Sequence, residues 1–463
     1  MTPQHHSRRF QSLLPALLGL LLSCRAAAFS AGRRAVRDDP YPQKIGRGLD
    51  SVITATLADK ARHFEEIIRD RHVRDGFIRE LTLTVPGDPS QGGALLHNDN
   101  DGLWTGLYVA AMSFKFAATG DPEAREWAGE SFRALERLES VTGIPGFPAR
   151  SMVPAGEPER LGYDGEWRRD ASGAWEWKGD TSSDEVAGHF FAYSVFYDLA
   201  ADEADKARVR KAAASIMDHI MERGWTLAGA DGKPTRWGVW SPDQLNSNRP
   251  LHGLPDEDWR EERGLNSLLI LSHLQVACHV TGDPKYRRAY LELIEGHGYA
   301  ENTVELKISS RPDAVNHSDD ELAFCGYYPL LTYETDPDLR SIYLKSLRRT
   351  WEIERPERNP WWNFTACAFL DGDCGLDDSV RTLRELHWDQ VNWGRDNRGL
   401  AGVRADPEDP AQSLEVPPYE RISIQRWNAD PYSLVSGENG EKEGDGVLFL
   451  LPYWMGRLHG FIR

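Results

Sequence analysis

The 463-residue chain has few cysteines and few long apolar runs. These two scarcities argue against a zinc-binding protein and against a membrane-spanning one. It has five cysteines, and the four beyond the first 30 residues lack the spacing of a zinc site. Two of them, Cys367 and Cys374, are close enough in sequence to form a disulfide in an oxidising compartment. After the first 30 residues no apolar run is long enough to span a bilayer, so no transmembrane segment is predicted.

Clustered basic residues are also missing. Asp and Glu number 72 against 54 Lys and Arg, which gives a formal net charge of -18. Binding to phosphate backbones needs clustered positive charge, so no nucleic-acid partner is expected. The sequence has no nucleotide-binding loop, no dinucleotide fingerprint and no Gly-x-Ser-x-Gly elbow, and no cofactor is predicted.

A metal site is not predicted either. Residues 97–108 resemble a calcium loop in composition, but the first position is His97 and the twelfth is Tyr108 instead of glutamate. Zinc shared by His97, His189 and His317 is the alternative, although none of these histidines belongs to a metal-type pair.

The first 30 residues have the order of an export signal: Arg8 and Arg9, an apolar core at 13–22 and alanines at 26–28. This order predicts a secreted or periplasmic protein. An imperfect lipoprotein box ending at Cys24 leaves lipid anchoring as the alternative to cleavage. We assign 31–48 to a linker and 49–463 to one catalytic domain.

Apolar helices that end before an Asp-Pro pair and continue into amphipathic helices recur along the chain. At 120–122 and 282–284, Gly can end one helix, Asp can cap the next and Pro suits its first turn. A third junction at 334–337 has the Asp-Pro pair without the Gly. Residues 184–223 repeat the scheme, residues 361–388 give a shorter and weaker copy, and an apolar helix at 447–459 closes the series. The pattern predicts an all-α fold, an (α/α)6-type toroid of five or six hairpins with apolar helices inside.

An open solenoid is the competing arrangement, but the repeats are irregular and separated by long loops. Residues 166–177 are predicted to form a minor β-hairpin. Residues 437–441 are interpreted as a flexible acidic loop, which could act as a lid or only as a connector.

Three predicted inner helices begin with a polar segment, at 97–101, 180–185 and 316–321. We call these the first, second and third polar heads. Inner helices of a ring run in the same direction, so the heads should converge at one end. Positions spaced by three or four residues then place acids above aromatic side chains, as in a sugar subsite. The alternative is capping plus core, because Ser-x-x-Glu occurs at Ser182 and Ser318.

The candidates drawn from these segments and from nearby loops fall into two groups. The candidate catalytic residues are Asp99, Asp101, Asp184, Asp320, His189 and His317. The candidate substrate-binding residues are His97, Asn98, Trp104, Tyr108, Arg150, Glu185, Tyr193, Asn316, Trp362, Asn363 and Trp427.

The helical-hairpin plan and the acid-headed inner helices resemble secreted carbohydrate-active enzymes of the (α/α)6 toroid type. These include the unsaturated glucuronyl hydrolases, the acylglucosamine epimerase group and the helical-toroid polysaccharide lyases. The resemblance covers about residues 49–463 and includes no full family signature. It implies a poly- or oligosaccharide substrate, with uronate-containing glycans among the candidates. In hydrolases of this type acids at inner-helix starts act as acid and base, which maps onto Asp99 or Asp101, Asp184 and Asp320.

Three functions are compared on this basis. The leading hypothesis is glycoside hydrolysis with Asp184 and Asp320 as the first carboxylate pair. The second is β-elimination by a polysaccharide lyase, in which the family's Asn–His pair, Tyr and Arg would correspond to Asn316 and His317, Tyr108 or Tyr193, and Arg150. Such lyases often carry a β-sandwich, and no strand-rich tail is visible here. The third is a non-catalytic glycan-binding protein, which has little need for several converging carboxylates.

Overall fold

The computed structural model describes residues 35–44, 52–157, 166–247, 249–253, 257–308, 317–415 and 430–463. The predicted export signal lies outside these ranges. Twelve helices of ten or more residues alternate between an inner and an outer position within them. They are α1 (Leu57–Ile67), α2 (Asp101–Thr119), α3 (Pro122–Val141), α4 (Ser183–Leu199), α5 (Glu203–Glu222), α6 (Arg263–Thr281), α7 (Pro284–His297), α8 (His317–Tyr333), α9 (Pro337–Glu354), α10 (Pro360–Phe369), α11 (Leu376–Glu385) and α12 (Val447–Leu458).

The even-numbered helices form a closed inner ring. Contacts run from α2 to α4, α6, α8, α10 and α12, and α12 packs against α2 to close the circle. The odd-numbered helices pack around this ring, as α3 does against α2 and α1 against α12. Inner helices are buried on most sides, whereas outer helices such as α3 bury one face. The predicted (α/α)6 toroid is confirmed, and the open solenoid is wrong because the first and last inner helices meet.

The helix junctions fold as the sequence predicts. Gly120 and Gly282 take left-handed backbone angles, with φ of 74° and 70°. Asp121, Asp283 and Asp336 each accept a hydrogen bond from the backbone N–H two residues later, at 3.0, 2.9 and 2.9 Å. A proline follows each aspartate in the first turn, where its missing N–H costs no hydrogen bond.

Short strands lie in the loops that connect the helices. They are β1 (Tyr41–Lys44), β2 (Val52–Ala55), β3 (Val73–Arg74), β4 (Phe77–Ile78), β5 (Glu80–Leu83), β6 (Gly93–Leu96), β7 (Ser151–Pro154), β8 (Trp167–Arg169), β9 (Trp175–Lys178), β10 (Thr226–Ala228), β11 (Pro234–Val239), β12 (Val391–Asp396) and β13 (Val435–Glu443). Strands β8 and β9 form the predicted hairpin, to which β7 adds a third strand. The interpretation of 437–441 as a flexible loop is wrong, because β13 pairs with both β12 and β5.

Cys367 and Cys374 form a disulfide, with their Cα atoms 5.2 Å apart. The bond joins α10 to the loop that leads into α11, and it confirms the pair chosen from the sequence. None of the helices within the described ranges is both long enough and apolar enough to cross a membrane.

Glycines allow α2 and α4 to approach closely and so bring two polar heads together. A Cβ added to Gly188 on α4 would lie 2.4 Å from the Cα of Leu103 on α2, and a Cβ on Gly106 would lie 2.6 Å from the Gly188 carbonyl oxygen. These contacts are with backbone atoms, which have no rotamers through which to move away. The helix pair therefore depends on the absence of side chains at both glycines.

Replacing Gly188 by alanine should lower the free energy of unfolding by about 1–3 kcal/mol, because the methyl group forces α2 and α4 apart. Gly296 is the matched control, since it also lies in a helix, α7, and has open space around its Cβ position. Gly296→Ala should raise stability by about 0.4–1 kcal/mol. Urea denaturation midpoints measure both effects. Equal midpoints for the two variants would contradict the close-packing argument.

Candidate active site

The inner helices run in the same direction, so their first residues meet at one end of the ring, which we call the mouth. Asp101, Ser183, Arg263 and His317 begin the four helices that bring polar heads or acidic residues to this end. The geometry of each head decides which carboxyl groups can meet a substrate.

Arg150 joins the first and second heads. It is 3% exposed, and its Nε donates to the Asp99 carbonyl at 2.8 Å. One Nη donates to the Asp180 carbonyl at 3.1 Å and the other to Asn100 Oδ1 at 3.3 Å. The guanidinium thus holds the two heads in register. These contacts favour a positioning role for Arg150 over the predicted role in substrate binding.

Asp184, at the start of α4, is half-buried beside the first head. Its carboxylate accepts hydrogen bonds from Asn100 Nδ2 at 3.1 Å and from Ser183 Oγ at 3.3 Å. Burial raises the pKa of Asp184, and the positive charge of Arg150 opposes that rise. The capping box predicted at Ser182 does not form: this N-cap residue makes no side-chain cap bond and its hydroxyl donates to Asn100 instead.

Asp99 also reaches the mouth, where 27% of its side chain is exposed. The ammonium group of Lys178, which is fully buried on β9, forms an ion pair with it. Lys178 was not among the sequence candidates. The available signal is its place two residues before Asp180, where the second head begins.

Asp101 is fully buried, and its carboxylate oxygens accept hydrogen bonds from other groups of the protein. Its Oδ2 accepts from Arg79 at 3.1 Å and from Ser151 Oγ at 2.5 Å, while Oδ1 accepts from the Asn98 backbone at 2.9 Å. Arg79 is itself only 1% exposed. These contacts favour a structural role for Asp101, unlike Asp99 two residues earlier.

Glu185, His189 and Tyr193 form a buried row along α4, below the mouth. Glu185 Oε1 accepts from the Gly102 backbone at 3.1 Å, and His189 Nδ1 is 2.8 Å from the Tyr193 hydroxyl. Burial and the charge of Asp101 raise the pKa of Glu185 well above its usual range, and burial lowers the pKa of His189 to about 3. Burial therefore disfavours charge along this row, which has the character of a core network.

The third head contributes Asp319, which is half-buried at the start of α8. Burial, together with the negative charges of Glu262, Asp320 and Asp184, raises the pKa of Asp319 to about 7. Glu262 occupies the N-cap position of α6 without a capping hydrogen bond, and its carboxylate lies 3.9 Å from the ammonium of Lys307. Carboxyl groups from α4, α6 and α8 are thus close enough to influence each other.

Sequence reasoning missed Glu262 and selected Asp320 instead of Asp319. The signal for Glu262 was the acidic pair directly before an apolar helix, the same pattern as in the three heads. Asp320 is fully buried behind the mouth. It interacts there with Glu354 at the end of α9, where burial and the charges of Glu357 and Asp320 raise the pKa of Glu354 well above its usual range.

The other aromatic and polar candidates of the first head are less exposed than expected. His97 is 2% exposed and packs edge-on against Trp167, with ring centroids 4.8 Å apart. Asn98 accepts from the Asn100 backbone at 2.6 Å and so shapes the turn. Trp104 packs against the core, and Tyr108 is fully buried, which raises its pKa.

Two candidates on α10 belong to the core. Trp362 stacks on Phe324 with ring centroids 5.3 Å apart. Asn363 accepts from Trp351 Nε1 at 2.8 Å and donates to Ser379 Oγ at 3.0 Å. Asn316, Trp427 and the side chain of His317 lie outside the described residues. Across the part of the chain that is described, no group of three His, Cys, Asp or Glu side chains could hold a metal ion.

Comparisons with protein-family models and with characterised sequences find no match. Solved structures with a similar chain course include a metagenome-derived glycoside hydrolase family 9 endoglucanase, with 12% identity and a TM-score of 0.40 over 89% of this chain and 82% of that one. An unsaturated glucuronyl hydrolase from Streptococcus agalactiae has 12% identity and a TM-score of 0.31 over 91% and 98%. Similarities at these levels are too weak to transfer an activity or site residues to this chain.

Proposed function

We propose that the protein is a glycoside hydrolase that acts on a poly- or oligosaccharide. The observation that carries this proposal is that half-buried carboxyl groups at the starts of two inner helices, Asp184 and Asp319, influence each other in unlike electrostatic surroundings, with Asp99 in the turn before a third. Glycoside hydrolysis needs one protonated carboxylic acid and one ionised carboxylate on the two sides of the scissile bond. Surroundings that separate the proton affinities of neighbouring acids provide that division.

Asp319 is assigned the general acid. Its neighbours are mainly negative, which keeps its proton near neutral pH and lets it protonate the leaving oxygen. Asp184 is assigned the ionised partner, because Asn100 and Ser183 donate hydrogen bonds to it and Arg150 is positive nearby. Asp99, paired with Lys178, is assigned the role of binding sugar hydroxyl groups.

The lyase alternative receives less support. It requires a basic side chain that neutralises the substrate carboxylate, and Arg150 is buried with its donors directed to protein oxygens. Tyr108 and Tyr193 are also fully buried, so neither is available to a polymer at the mouth.

We also propose that the chain is exported and that residues 49–463 act as one catalytic unit. The charge and apolar order of residues 1–30 supports export. The disulfide between Cys367 and Cys374 agrees with it, since such bonds persist in oxidising compartments.

A panel of neutral and acidic polysaccharides tests the reaction class. The protein should release new reducing ends from at least one of them without a rise in ultraviolet absorbance, because hydrolysis creates no double bond. Equal growth of both signals would establish elimination instead. Binding without product from any substrate would support the alternative that the protein binds glycans without catalysis.

The pH dependence of kcat/KM tests the assignment of Asp319 as the general acid. Because Asp319 must carry its proton, kcat/KM should fall as the pH rises through about 7. Glu262→Gln removes a negative charge that raises this pKa, so the alkaline limb should move to lower pH. Glu261 is the matched control: it is adjacent and 70% exposed, and Glu261→Gln should shift the limb less. A limb that stays in place in Glu262→Gln would contradict the assignment of Asp319.

A further inference from the structure

Trp237 lies on β11, directly beside the second polar head. The Arg236 backbone N–H donates to Asp180 Oδ1 at 2.8 Å. On the same strand, Thr235 Oγ1 donates to the Thr181 carbonyl at 2.8 Å. Because these bonds fasten the strand to the head that contains Asp184, Trp237 is held at the rim of the mouth.

Two neighbouring side chains support the indole ring of Trp237. The guanidinium of Arg236 lies 4.6 Å from its ring centre, and Trp259 meets it edge-on at 6.2 Å between centroids. Trp259 is 7% exposed and donates through Nε1 to Glu257 at 2.7 Å. A ring braced in this way loses little conformational entropy when a ligand covers it.

The exposure of Trp237 has no structural explanation within the described part of the chain. Its exposed fraction is 39%, and every other tryptophan that is described there is less exposed. Indole is a large apolar surface that proteins usually cover. A supported but uncovered ring next to a carboxylate site is suited to the apolar face of a sugar.

The charges around the ring limit which sugars fit. Asp180 and Glu257 hold the segments on either side of it. Burial raises the pKa of Glu257, but hydrogen bonds from Trp259 and the His252 backbone outweigh this and lower it to about 2. Glu257 therefore stays ionised. The exposed guanidinium of Arg236 brings one positive charge to the ring, against the two carboxylates of Asp180 and Glu257. The local balance is therefore negative, which disfavours an anionic sugar relative to an uncharged one.

We propose that Trp237 is the stacking platform of a subsite at the rim of the mouth, and that this subsite takes an uncharged pyranose unit of the glycan. The proposal rests on the proposed function for its ligand class. It adds that the sugar bound at this position carries neither a carboxylate nor a sulfate group.

Titration with defined oligosaccharides tests the subsite. Cellohexaose and mannohexaose serve as neutral probes and hexagalacturonate as the anionic one, with Asp184→Asn as the background and calorimetry as the readout. At least one neutral probe should bind more tightly than hexagalacturonate. Adding Trp237→Ala should weaken the binding of that probe roughly three- to tenfold, whereas Trp237→Phe, which keeps an aromatic face, should change it less than twofold.

Tyr41 provides a matched control. It is 44% exposed and has the guanidinium of Arg384 5.0 Å from its ring centre, but it lies on β1 against the outer helix α11. Tyr41→Ala should leave binding unchanged. The proposal is overturned if neither neutral hexamer binds, if Trp237→Ala binds like its parent or if both alanine variants lose affinity equally. Since the titrations follow binding alone, failure of the proposed hydrolysis would not alter their result.

Discussion

Asp184→Asn is expected to lower kcat/KM on a responsive glycan by about 10²–10⁴-fold, the usual contribution of a positioned acid or base. The amide keeps the size of the side chain but cannot serve as the ionised partner of Asp319. The hydrogen bond from Asn100 Nδ2 to Asp184 Oδ2 has a counterpart in the variant, because the amide oxygen can accept it. The loss should therefore fall on kcat more than on stability.

Steady-state kinetics and a denaturation curve, measured on the same preparation, separate these effects. Asp338→Asn is the matched control, since Asp338 is exposed in the first turn of the outer helix α9. It should retain full activity. Asp319→Asn should resemble Asp184→Asn and should also remove the alkaline limb near pH 7. Wild-type turnover in folded Asp184→Asn would refute the assignment of the carboxylate pair.

Asp101→Asn is expected to destabilise the protein by about 3–5 kcal/mol, the usual result of removing one partner from a buried ion pair. Arg79 would keep its charge at 1% exposure without the carboxylate 3.1 Å away. The change would also weaken the contact of this carboxylate with Ser151. Asp101→Asn is therefore expected to reduce stability, whereas Asp184→Asn is expected to reduce kcat.

A double-mutant cycle checks this explanation. Arg79→Met replaces the guanidinium by an apolar side chain of similar length, so adding it to Asp101→Asn should recover part of the lost stability. Urea denaturation of the wild type, both single variants and the double variant supplies the four free energies. Strictly additive losses would mean that the two side chains are not coupled.

The helical plan could be predicted because its signals are local. Gly120 followed by an Asp-Pro pair ends one helix and starts the next within three residues. The same signal returns at Gly282, so the alternation of inner and outer helices follows from short segments. Strand β13 was missed because its pairing partners, β5 and β12, lie far from it in sequence.

The sequence predicts the site as far as the three polar heads, but not which carboxyl group of each head faces the mouth. Successive helical residues point about 100° apart, so Asp319 and Asp320 face different surroundings although they are adjacent. Asp99, in the turn before α2, reaches the mouth, whereas Asp101, the first residue of α2, is buried with Arg79. Burial and distant charges separate these neighbours, and neither can be read from a local pattern.

By itself, the sequence determined the hairpin repeat, the export signal as a prediction, the three acid-headed segments and the nearby cysteine pair. Helix signals and capping act over a few residues, which is why these features were readable. The tertiary structure decided which carboxyl group of each head meets solvent, that Arg150 and Lys178 are used within the protein, and that Glu262 and Trp237 lie at the mouth. Those outcomes depend on contacts between distant segments, whose geometry is set only when the ring closes.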